Sequence, residues 1–246
     1  MSTAALRTFF RERFEEVQEY LLFLGTVEEA ARMGPPKFQG LKVSLTTTQQ
    51  KILYSSLYLQ LYNLVEATVS RCLDEVANAA AAESAWKPAE LNESMRQEWV
   101  RGIAKTHSEL NAENRLTTAV SLCEHLVQDL PISEFAIEKG GGGNWDDESI
   151  YKIGKRVGCP LRFKAQTIAA VKPKVKGDVG ALKLVKTRRN GLAHGSLSFV
   201  ECADGISVND LVELTDVVGN YLQETMNCFA AYIDGFEFLR TESRPA

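Results

Sequence analysis

Residues 46–82, TTTQQKILYSSLYLQLYNLVEATVSRCLDEVANAAAA, decide the architecture. Thr46, followed three positions later by Gln49, forms a capping box in which hydroxyl and amide satisfy each other's backbone N–H groups. Apolar residues then recur at Ile52, Leu53, Leu57, Leu59, Leu61, Leu64, Val65, Val69, Leu73 and Val76. They cover more of the helix circumference than a surface helix needs, so this stretch is expected to be a central, largely buried helix. Asn63, Glu66 and Arg71 interrupt it, and each would cost energy if buried without a partner. Asn63 and Glu66 lie three apart and share a face, so they either converge on one site or face solvent and pair locally.

On the N-terminal side, residues 4–33 repeat Leu6, Phe10, Phe14, Val17, Leu21 and Leu24 by threes and fours, which predicts an amphipathic helix. Gly34-Pro35-Pro36 ends it. Packing on the bundle and extension of a dimer interface are both open roles for residues 1–45.

On the C-terminal side, Asn92 or Ser94 caps a helix carrying Met95, Trp99 and Ile103, and a second amphipathic segment covers about residues 112–130. Gly140 to Gly143 read as a hinge or loop tip, lacking the Lys-Ser/Thr ending of a phosphate-cradling loop. Asp146-Asp147-Glu148 then open a short helix that closes on Lys155 and Arg156, a charge order that matches the helix dipole. Residues 161–177 are basic and irregular, with Pro173 inside Lys172–Lys176. A helix from about residue 177 to His194 ends at Gly195-Ser196. The last helix starts at Ser207, whose capping box is completed by Asp210, and runs to about Leu239. No alternating β-branched run is present. The fold class is therefore all-α: a bundle of four or five main helices with an inserted basic, irregular lobe.

The composition, 45% apolar and 24% charged, is that of a soluble globular protein. No run approaches the roughly 20 apolar residues that cross a bilayer. Charges interleaved through Leu6–Phe14 exclude a signal-peptide core there. Five scattered cysteines without a CxxC pair fit buried thiols in a reducing compartment, so a cytoplasmic location is expected. His107 and His125 lack neighbours at metal-ligand spacing and read as ordinary surface or packing residues; no metal and no cofactor are expected. The net charge of −4 speaks against a nucleic-acid binder, but its distribution does not. From Lys152 to Arg189 twelve Lys/Arg face a single acid, Asp178. Such segregation marks either a surface that meets phosphates or a solvated loop balanced by acidic helices.

Just beyond lies Arg189-Asn190-Gly191-Leu192-Ala193-His194-Gly195. Asn190 and His194 are one turn apart on one face. Arg189 and His194 are five apart, about 140° around a regular helix, so one copy does not aim both at one point. Either the long Arg side chain swings round, or a second subunit supplies the missing group. These groups suit cleavage of RNA, where the 2′-hydroxyl is the nucleophile, a His moves protons and an Arg stabilises phosphoryl charge. By spacing alone the signal is weak, and helix-terminal Arg and His serving as caps are the stronger explanation of the pair.

The heptapeptide resembles the signature of the HEPN superfamily, an Arg, four to six residues and a His, often with a polar Asn after the Arg. Leu61-Tyr62-Asn63-Leu64-Val65-Glu66-Ala67-Thr68-Val69 is similar to the corresponding helix of bacterial HEPN proteins of toxin–antitoxin and phage-defence loci. The resemblance spans about residues 45–240. It implies one HEPN-like domain over 1–246, with 83–176 as an insertion carrying the Gly-rich loop and basic segment. It also implies a helical bundle that dimerises, with a metal-independent endoribonuclease site leaving a cyclic phosphate. On that analogy Arg189 binds the scissile phosphate, His194 is the acid/base, and Asn190 positions the phosphate or the His. Asn63 and Glu66 stand behind them. Lys172, Lys174, Lys176, Lys183, Lys186 and Arg188 contact RNA. The implied partners are RNA, a second copy or a companion HEPN protein, and an antitoxin; no membrane is implied. The alternative is a non-catalytic RNA- or nucleotide-binding HEPN module acting through a protein partner, and a third reading is a purely structural dimerisation bundle.

Overall fold

The computed structural model describes residues 3–37, 40, 43–82, 85–104, 110–133, 135–139, 144–172 and 179–245. His107, Gly140 to Gly143, Pro173, Lys174, Lys176 and Gly177 lie outside the described residues. Among those described, every named element is helical: α1 Thr3–Arg32, α2 Thr47–Ala80, α3 Glu93–Ile103, α4 Ala112–Val127, α5 Asp147–Arg156, α6 Ala165–Val171, α7 Ala181–Ala193, α8 Phe199–Cys202 and α9 Val208–Asp234. A 3-10 turn, Thr241–Ser243, follows α9.

The centre is α2, packed against α1, α7, α8 and α9, while α1 also packs on α9. Its capping box forms as the sequence predicts, with Thr46 Oγ1 accepting from the Gln49 N–H and Gln49 Oε1 from the Thr46 N–H. Leu57, Leu61, Val69, Leu73 and Val76 are fully buried. Each such side chain contributes about 1.5–3 kcal/mol relative to an exposed one. The N-terminal helix is thus a third wall of the bundle, burying Leu6, Phe10, Val17, Leu21 and Leu24. It meets α9 so closely that a Cβ on Gly219 would stand 2.5 Å from the Phe14 ring.

Several boundaries differ from the sequence reading. Asn92, not Ser94, caps α3, accepting from the Met95 N–H at 2.9 Å. Residues 161–177 are not irregular throughout, because Ala165–Val171 forms α6. Thr167 and Val171, one turn apart, are buried there, and α6 packs on α9. Glu224 of α9 fixes it, accepting from the Lys164 N–H and the Thr167 hydroxyl, both at 2.8 Å. The last helix stops at Asp234, five residues early. Phe238 and Leu239 then turn back, and Leu239 pairs with Leu91 in an isolated antiparallel bridge. Apolar periodicity cannot distinguish a buried extended pair from one more helical turn.

Candidate functional site

The site grows from α7, where Ala181, Leu182, Leu184, Val185 and Leu192 are buried. Arg189, one turn beyond Val185, is thereby aimed at α2. Its guanidinium lies 4.3 Å from the centroid of the Tyr62 ring. Its Nη1 donates to Asn190 Oδ1 at 2.9 Å, and its Nη2 stands 3.7 Å from Glu66 Oε2. The Arg189 side chain is still 29% exposed. An aromatic face and two acceptors therefore hold a cation that still reaches solvent.

Three consecutive residues strap the segment before α5 onto this site. Asn144 Oδ1 accepts from Asn190 Nδ2 at 3.1 Å, and the Trp145 N–H donates to the Tyr62 hydroxyl at 3.1 Å. Asp146 forms an ion pair with Lys186 and caps α5 through Ser149. Burial opposes ionisation of Asp146, but hydrogen bonds from Lys186 and Ser149 outweigh it and hold its carboxyl below the usual aspartate value. Burial pushes the Tyr62 hydroxyl above the ordinary tyrosine range, so it stays protonated. An open pocket of about 270 Å³, lined by Lys139, Lys152 and Arg156 among others, adjoins Asn144. Those cations are paired with Asp74, Glu148 and Glu98, respectively.

His194 closes α7 as its C-cap residue, and its N–H donates to the Asn190 carbonyl at 3.0 Å. Gly195 follows at φ +72°, a conformation that glycine adopts without Cβ strain. The exposed His194 ring makes no side-chain hydrogen bond to another described residue. One chain thus unites Arg189, Asn190 and Glu66 by side-chain contacts in which the His194 ring has no part, consistent with the five-residue offset.

Asn63 is exposed and does not join the cluster, whereas Glu66 does. Arg71 pairs with Glu75 at 2.7 Å and stacks over Phe9. Lys183 and Lys172 are exposed and Arg188 is half-buried, while Lys186 is committed to Asp146. His125 packs its ring 5.1 Å from Trp99. Sequence reasoning missed Tyr62, Asn144 and Trp145. An aromatic on an apolar helix and two residues beside a glycine run carry no local signal of a shared site.

The chain matches the family model described as HEPN_MAE_28990-like HEPN over residues 2–238. It belongs to the HEPN family. That family includes ribonucleases, and its domains often dimerise and bind RNA. No curated protein and no solved structure matches this chain. Among the described residues of this HEPN protein, no helix is long and apolar enough to cross a membrane.

Proposed function

We propose that this HEPN protein is a cytoplasmic, metal-independent endoribonuclease of a toxin–antitoxin or abortive-infection system, with a site completed by dimerisation. The observation that carries the proposal is the Arg189 guanidinium, held on Tyr62 by Asn190 and Glu66 yet partly exposed, on the helix that ends in exposed His194. The 2′-oxygen of the substrate attacks phosphorus, the P–O5′ bond breaks, and a 2′,3′-cyclic phosphate remains. One group takes the 2′-hydroxyl proton and another returns a proton to the 5′-oxygen; His194 fills one of these roles. Arg189 steadies charge on the non-bridging oxygens, and Asn190 holds the Arg189 fork. An internal nucleophile leaves a metal with no obligatory part. A second copy or a companion HEPN protein brings its own Arg–His pair into the cleft, and an antitoxin silences it. Lys172, Lys174, Lys176, Lys183 and Arg188 contact the RNA backbone. Residues 1–246 work as one domain, with 83–176 inserted.

Total cellular RNA incubated with the protein in EDTA tests this. The wild type should leave cyclic phosphate ends, and Arg189→Ala and His194→Ala should each fall by about 10²–10⁴-fold. RNA bound at low salt but left uncut, with and without a partner, would instead favour a binding module, a reading supported by the lack of a side-chain contact between His194 and Arg189 within one chain.

A further inference from the structure

At the opposite end of α5 from Asp146 lies a pocket of about 580 Å³ that the Arg189 cluster does not use. We infer that it is a second ligand site, for a nucleoside phosphate. Its volume falls in the range of about 300–1,000 Å³ typical of small-ligand sites.

Three cations, Lys155, Arg240 and Arg244, and one acid, Glu237, line it. The excess of positive charge is local, because the whole chain carries −4. Lys155 makes no ion pair with another described residue. Among the described residues, Arg240 pairs only with Glu242, 3.9 Å away and largely in solvent. The Arg244 guanidinium is held over the Leu239 carbonyl, with Nε and Nη2 both at 3.4 Å. Lys155 is therefore free to meet a phosphate, and Arg240 and Arg244, whose own contacts are long, keep further N–H groups that can join it.

Tyr151 supplies the second half of the chemistry. It lies one turn before Lys155 on the same face of α5, and the residue is 57% exposed. An exposed aromatic in the same pocket as these cations can serve as a stacking platform for a base whose phosphate the cations bind. Glu237, an acceptor in the same wall, suits the ribose hydroxyls.

The frame is rigid. The Arg240 N–H donates to the Glu90 carbonyl at 2.8 Å, and the Asn92 N–H to the Phe238 carbonyl at 2.9 Å. The buried Tyr232 hydroxyl donates to the Val157 carbonyl at 2.8 Å, tying α9 to the end of α5. Phe238 and Leu239 are buried beneath the cations. The C-terminal segment is thus clamped against the residues before α3.

A free nucleotide and a stretch of RNA present the same chemistry, and titration separates them. The full-length protein is titrated with a fluorescent AMP analogue, then competed with AMP, adenosine, inorganic phosphate and a six-nucleotide RNA. Saturable binding should weaken about tenfold in Tyr151→Ala. In Lys155→Glu/Arg240→Glu it should be lost. Adenosine should compete at least tenfold less well than AMP. These side chains are exposed, and unchanged thermal melts would show the variants folded. Arg189→Ala should bind as the wild type, which separates this site from the ribonuclease reading whatever becomes of that reading. Competition by the RNA at lower concentration than AMP, still dependent on Tyr151, identifies a strand-binding subsite; the reverse order identifies a free nucleotide. Binding that is not saturable, or that survives unchanged in Lys155→Glu/Arg240→Glu, or that disappears in Arg189→Ala, overturns the inference.

Discussion

Tyr62 is 2% exposed, yet its ring supports Arg189 and its hydroxyl accepts from the Trp145 N–H. These two tasks can be separated. Tyr62→Phe keeps the ring under the guanidinium, whereas Tyr62→Leu removes a cation–π contact worth about 0.5–2 kcal/mol. RNA cleavage by Tyr62→Leu should fall about 2- to 30-fold in kcat/KM, with Tyr62→Phe much nearer the wild type. Equal losses in both variants would assign the effect to the strap instead of the ring. Asp146 adds a pH dependence. Its folded-state pKa lies below the unfolded value, because hydrogen bonds from Lys186 and Ser149 outweigh burial. The associated stabilisation is complete above the ordinary aspartate value of about 4 and is lost as pH falls through the lowered folded value. Asp146→Asn should therefore flatten the acid limb of a plot of Tm against pH.

At the scale of elements, the long helices were legible because apolar spacing and caps agree. Thr46 with Gln49 and Ser207 with Asp210 cap α2 and α9 as read, since a capping box is a contact within four residues. The end of α9 was not legible, because Phe238 and Leu239 continue the apolar pattern while pairing with residues near 91. Close approach was not legible either. Gly219 sits in a helix that would tolerate alanine on propensity alone, but a Cβ there meets the Phe14 ring at 2.5 Å. Gly219→Ala should cost about 1–3 kcal/mol by overpacking, a Tm loss of several degrees for a chain of this size. A Tm within one degree of wild type would mean that Phe14 moves aside freely. At the end of α7, Gly195→Ala forces a side chain into φ +72° and should cost about 1–2 kcal/mol in the same assay.

For the whole molecule, the basic run from Lys152 to Arg189 is less free than its charge count suggests. Lys152, Arg156, Lys164, Lys186 and Arg189 all pair with acids from α2, α3, α5, α9 or the segment before α5. Lys183 and Arg188 on α7, and Lys172 at the end of α6, have no such partner among the described residues. If RNA crosses this face, binding should weaken with salt. Removing Lys183 and Arg188 together should reduce the slope of log K against log salt by about 1.4, at about 0.7 per phosphate contact on a single strand. An unchanged slope would move the RNA path elsewhere.

The sequence by itself determined the helical class, the caps, the central helix and the Arg189–His194 motif, because each is written in residues within a turn or two of one another. Only the tertiary structure decided what Arg189 touches. Tyr62 and Glu66 stand more than a hundred residues away in the chain, Asn144 reaches Asn190 across 46 positions, and the folded C-terminus brings Arg240 and Arg244 to Tyr151 and Lys155. Such contacts depend on how helices cross and where chain ends turn back, which is set by packing across the core and leaves no periodic trace in the sequence.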